Sequence, residues 1–108
     1  MSEQHPQYLI SITAPPALEE ALVDWLLSRE NGEGFTSFAV NGHGRRSEHF
    51  SLAEQVAGRQ GRIRFQILVP GEACKPLLER LKKDFGGAGL HYWVLPVIEG
   101  GEIGPQAG

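Results

Sequence analysis

The sequence is poor in the features that mark several large classes of protein. It has one cysteine, Cys74, so no internal disulfide can form, and a Cys-rich zinc or iron–sulfur scaffold is excluded. No apolar run approaches the roughly 20 residues that span a bilayer as a helix. The opening MSEQHPQY lacks the basic start and apolar middle of a secretory signal, so a soluble, cytoplasmic protein with no direct membrane insertion is expected. Positive charge is also short: Lys+Arg 10 against Asp+Glu 13 leaves a formal net charge of −3. A mildly acidic chain is a poor polyphosphate ligand, because nucleic-acid binding depends on clustered cations that release counterions, and no nucleic-acid partner is expected.

What is present fits one domain. A chain of 108 residues buries enough surface for a single core without staples. YLISIT at 8–13 alternates Tyr8, Ile10 and Ile12 against Leu9, Ser11 and Thr13, the period of a strand. Pro16 can open a helix, Glu19 and Glu20 suit its first turn, and Leu18, Leu22, Trp25 and Leu26 recur at helical spacing toward a stop near Asn31-Gly32. FTSFAV at 35–40 and RIRFQILV at 62–69 read as two more strands, the latter with Ile63, Phe65, Ile67 and Val69 on one face. Cys74, Leu77, Leu78, Leu81 and Phe85 form the stripe of a second helix over 73–85, ended by Gly86-Gly87. LHYWVLPVI at 90–98 is a last strand, with Pro96 tolerable only at an edge. The order β-α-β-β-α-β predicts an α+β, ferredoxin-like fold: a four-stranded antiparallel sheet with both helices on one face. Residues 1–100 make the domain and 101–108 a flexible Gly-rich tail.

The second and third strands should be antiparallel neighbours, yet residues 41–61 separate them where a hairpin needs two to five. This connection, NGHGRRSEHFSLAEQVAGRQG, holds His43, His49 and a possible short helix capped by Ser51 with Glu54. Over residues 42–64 the arginines 45, 46, 59, 62 and 64 face only Glu48 and Glu54, a local positive balance in an acidic chain. A long connection inside a small domain marks the place to look for function.

GFTSFAVNGHGRR, then a long loop, then RIRFQILVP resembles the nitrogen regulatory PII signal-transduction superfamily. GFTSFAVNGHG, SLAEQVAGRQ and AGLHYWVLPV together resemble a PII-like family encoded beside heavy-metal efflux pumps of the resistance-nodulation-division type. The resemblance implies a homotrimer, effector sites between subunits at the base of the long loop, and a loop that docks on a partner such as a membrane efflux transporter. Gly42, Gly44, Arg45 and Arg46 match that loop base, and Arg59 returns the loop to it. FGGAGLHYW and the tail EGGEIGPQAG lack the basic phosphate-binding residues of nucleotide-binding PII proteins, which ranks a nucleotide behind a metal ion as effector.

His43 and His49, with Glu48 between them, offer imidazole and carboxylate ligands suited to copper, zinc or nickel, and His91 is a candidate third ligand from a neighbouring subunit. Gly42-His43-Gly44 has the composition of a backbone nest for an anion. The effector set is therefore Gly42, His43, Gly44, Arg45, Arg46 and Arg59, and the metal set His43, Glu48, His49 and His91. Catalysis is not expected. Thr13-Ala14-Pro15-Pro16 stands where an acylphosphatase of this fold needs a glycine-rich cradle, and no Ser/His/Asp set, carboxylate pair or P-loop is present. The expected function is a trimeric regulator of metal homeostasis or heavy-metal efflux. The alternatives are a ligand-free adaptor of a membrane transporter and an RNA-binding module that would stack bases on Phe65 and Tyr8 beside Arg64.

Overall fold

The computed structural model describes residues 6–29, 34–43 and 60–105. The alternating segment near the start forms β1, Gln7–Ala14. Proline then sets the geometry of the turn: a 3-10 helix at Pro16–Leu18 is closed by the Leu18 amide donating to the Pro15 carbonyl at 3.0 Å, and runs into α1, Glu19–Leu27. The expected stop near Asn31-Gly32 is too late. The apolar stripe is exhausted at Leu26, the positions that would continue it are Arg29 and Glu30, and the Ser28 hydroxyl donates to the Trp25 carbonyl at 2.9 Å as the helix ends.

The remaining elements are β2, Phe35–Gly42; β3, Gln60–Pro70; α2, Gly71–Phe85; and β4, His91–Val97. Helix α2 starts two residues before the apolar stripe because the Gly71 amide donates to the Pro6 carbonyl at 2.8 Å, so the chain turns directly out of β3. It ends where expected. A Cβ at Gly86 would lie 2.6 Å from the Lys82 carbonyl oxygen, and Gly87 follows with φ +83°, a conformation a side chain resists. Gly87→Ala meets open space, so its whole effect is backbone strain. Thermal or urea unfolding should show a loss of about 1 kcal/mol.

All strand pairs are antiparallel, in the order β2-β3-β1-β4, so the ferredoxin-like reading holds and Pro96 sits on an edge strand as required. Ile10, Ile12 and Ala14 of β1 and Phe65, Ile67 and Val69 of β3 close against Leu22 and Leu26 of α1 and Leu77 and Leu81 of α2, all buried. This corrects the RNA-stacking alternative. Phe65 has no exposed surface and Tyr8 packs against the same core, because both fall on the helix-facing side of strands whose alternation is fixed. The helices are joined by Trp25, whose indole N–H donates to Asp84 Oδ2 at 2.7 Å and whose ring meets Phe85 edge-on at 5.8 Å. Trp25→Phe keeps the ring contact and loses the hydrogen bond, and should cost about 1 kcal/mol in urea unfolding.

Among the described residues no helix covers the opposite, outer face of the sheet. The pairings place Thr36, Phe38 and Val40 of β2 beside Gln66, Arg64 and Arg62 of β3, and Leu68 of β3 beside Leu9 of β1. Leu9, Ser11 and Thr13 of β1 and His91, Trp93 and Leu95 of β4 complete the face.

Candidate functional site

The antiparallel order brings four chain segments to one end of the sheet: the exit of β2 at Asn41-Gly42-His43, the entry of β3 at Gln60-Gly61-Arg62, the exit of β1 at Thr13-Ala14-Pro15, and the Gly86–His91 approach to β4. The long connection leaves and re-enters the fold here, with Gly42 directly opposite Gln60. A Cβ at Gly42 would meet the Gln60 carbonyl oxygen at 3.4 Å, an ordinary contact that a small side chain could make. Beside it Arg62 Nη2 donates to Gln60 Oε1 at 2.5 Å, and one row further in Arg64 Nε donates to Thr13 Oγ1 at 3.2 Å while its guanidinium lies 4.7 Å from the centre of the Trp93 ring. The stacked, hydrogen-bonded Arg64 is fixed in place rather than free to follow solvent.

Of the residues chosen from sequence, Gly42, His43 and His91 fall within the described part of the chain. Gly44, Arg45, Arg46, Glu48, His49 and Arg59, and the possible helix begun by Ser51, lie outside the described residues. Gly42 and His43 stand at the loop base and His43 is exposed. His91 is exposed at the same end but on the other edge strand. Three strand spacings, roughly 14 Å, separate those edges, whereas imidazole ligands lie about 2 Å from a shared ion. One copy of the chain therefore does not bring His43 and His91 together, and among the described residues no three His, Cys, Asp or Glu side chains form a group that could hold a metal. Cys74 is half-buried on α2, and burial pushes its thiol pKa up, which keeps it protonated and unreactive at neutral pH.

Sequence reading missed the role of Arg62 and Arg64. The alternation in RIRFQILV already put them on one face, but only the register with β1 and β4 shows Thr13 and Trp93 as their neighbours. A cleft of about 480 Å³ between α1 and α2, lined by Trp25, Arg29, Glu72, Leu77 and Arg80 among others, lies on the helix side. It is formed by the end of α1 and the start of α2, at the end of the sheet remote from the long connection. Among the described residues no helix is long and apolar enough to cross a membrane.

The four-stranded antiparallel ferredoxin-like sheet with its two helices is a layout this chain shares with solved PII-like proteins. Over residues 4–104 the chain matches, and belongs to, the family described as protein of unknown function DUF3240. A solved DUF3240 family protein from Shewanella baltica OS155 is similar in fold, with a TM-score of 0.73 and 22% identity over 96% of this chain and all of that one. CPII, a nitrogen regulatory PII-like protein from Thiomonas intermedia K12 solved with ADP, AMP and bicarbonate, is similar at a TM-score of 0.66 and 25% identity, covering 92% of this chain and 98% of its own. A candidate PII-like signaling protein from Thermus thermophilus is similar at a TM-score of 0.60 and 26% identity, over 86% and 88% of the two chains. No curated protein is significantly similar to the sequence.

Proposed function

We propose that this protein is a non-enzymatic, homotrimeric PII-like regulator that binds an adenine nucleotide at the base of its long connection and passes the bound state to a partner through that connection. The observation that carries the reading is the similarity to CPII, solved with ADP, AMP and bicarbonate, over 92% of this chain. The loop base supports it chemically. Arg62, Arg64 and the sequence-adjacent Arg45, Arg46 and Arg59 supply cations of the kind phosphates need. This reverses the order in which the sequence alone ranked the effectors, because the similar protein solved with its ligands carries nucleotides.

Assembly is supported by the outer face, where Phe38, Trp93 and Leu95 remain 42%, 43% and 49% exposed in a single chain. A membrane transporter is the partner the resemblance implies, with the nucleotide favouring one loop arrangement over another. Native mass spectrometry of the wild-type protein with ADP, AMP, ATP, copper, zinc and nickel in turn tests the reading. The expected result is a trimer that takes up adenine nucleotide, one per chain, with alanine at His43, Arg45, Arg46 and Arg59 weakening it at least tenfold. A trimer that binds none of these ligands would leave a protein-only adaptor. A trimer that takes up metal, lost on substitution of His43 and His49, would replace the nucleotide by an ion.

A further inference from the structure

We propose that the cleft between α1 and α2 is a binding site for a small aromatic carboxylate, its ring lying against Trp25 and Pro76 and its carboxylate held by Arg80. The cleft belongs to the helix layer, at the end of the fold remote from the long connection. It therefore depends on neither the nucleotide nor the assembly proposed above.

Shape gives the first argument. The cleft holds about 480 Å³, within the roughly 300–1,000 Å³ of small-molecule sites. Its floor is Leu77, which is buried in the core. On one wall stands the half-buried Trp25, anchored twice, by the indole N–H on Asp84 Oδ2 at 2.7 Å and by the edge contact with Phe85 at 5.8 Å. That ring is held before any ligand arrives, so binding orders little side chain. On the facing wall is Pro76, which lies inside α2 rather than in its first turn. A proline there removes the amide that would bond the Glu72 carbonyl and strains the helix, yet it presents a rigid apolar ring to the cleft. A local rule broken at a cavity wall is the pattern of a site rather than of a scaffold.

Charge gives the second argument. Arg29 and Arg80 line the cleft against Glu72 alone, which leaves a single net positive charge. The helix offers Arg80 no counter-charge: Asp84, one turn on, accepts from Trp25; Lys83 is of like sign; Leu77 and Pro76, a turn back, are apolar. Among the described residues Arg80 makes no hydrogen bond or ion pair. A guanidinium meets a carboxylate with two parallel N–H bonds. A dianionic phosphate would exceed the charge of the cleft and meet the Glu72 carboxylate, so the monoanion is the better match.

The test is a titration of 2-naphthoate into the full-length ¹⁵N-labelled chain, followed in amide correlation spectra, with the neutral 2-naphthamide as control. A Trp93→Phe variant assigns the Trp25 indole signal. Saturable shifts are expected at that signal and at the amides of residues 72–80, with a dissociation constant of about 1 mM or tighter. Arg80→Gln, at an exposed position where the remaining spectrum reports an intact fold, should weaken 2-naphthoate at least tenfold and leave 2-naphthamide unchanged. Glu72→Gln should tighten 2-naphthoate about twofold or more by removing a like charge. Absence of saturable binding, shifts centred on Trp93 and β3, or equal binding of the neutral control would overturn the proposal. So would an Arg80→Gln variant that binds as wild type. Displacement of the probe by ADP would assign it to the loop base and overturn the cleft, while leaving the nucleotide reading in place.

Discussion

Phe65→Ala is expected to remove about 3–5 kcal/mol from the stability of the fold, Phe65 being the largest fully buried side chain among the described residues. Phe65 has no exposed surface and sits on the inner face of β3, paired across the sheet with Ile12 on one side and Ser37 on the other. Its ring centre lies 6.2 Å from that of Phe35, so the cavity left by alanine would open between both neighbouring strands and the helices above them. A domain of this size has only about 5–15 kcal/mol in hand. With a urea dependence of about 1–3 kcal/mol per molar, the unfolding midpoint should fall by roughly 1–5 M. A loss below about 1 kcal/mol would mean the ring is not enclosed as described, and would return it to the list of surfaces able to stack on a base.

The same residue shows what the sequence could and could not disclose. Strict alternation in β1 and β3 identifies two faces per strand, and the helical stripes identify which face of each helix is apolar. Those local periods are enough for the element order and most of the core. They do not say which strand face the helices cover when both faces carry aromatics. Phe65 and Trp93 look alike in sequence, and only the pairing of Ser11 with both Gln66 and Trp93 puts Trp93 on the uncovered side. Helix ends were legible where glycine forced them, as at Gly86, and misread at α1, where no glycine or proline marks the stop and the apolar stripe simply runs out. The site divides the same way. The long connection and its glycines are visible as a departure from hairpin length, whereas the seating of Arg64 between Thr13 and Trp93 depends on residues about fifty positions and thirty positions away, which no local pattern can relate.

The second large effect concerns that uncovered face. Leu95→Lys should lower the assembly constant by roughly a hundredfold or more while leaving the isolated domain intact. Leu95 is 49% exposed on β4, in the same row as Leu9 and Leu68, so in a single chain the lysine keeps its ammonium in water and changes stability by about 0.5 kcal/mol or less. Once the face is covered, the ammonium is withdrawn from water into a surface that already holds Arg62 and Arg64 and has no strand carboxylate to receive it. An unpaired buried charge of this kind costs several kcal/mol, and every 1.4 kcal/mol is a factor of ten in the association constant. Sedimentation velocity over a concentration series separates the two terms, and thermal unfolding is compared at a dilution where both proteins are monomeric, because association itself raises the apparent melting temperature. If nucleotide sits between copies, its uptake should fall with the assembly and return when concentration drives the variant back together. A variant that stays monomeric yet binds nucleotide as tightly as wild type would place the site within one chain, and a variant that assembles like wild type would show that the outer face is not where the copies meet.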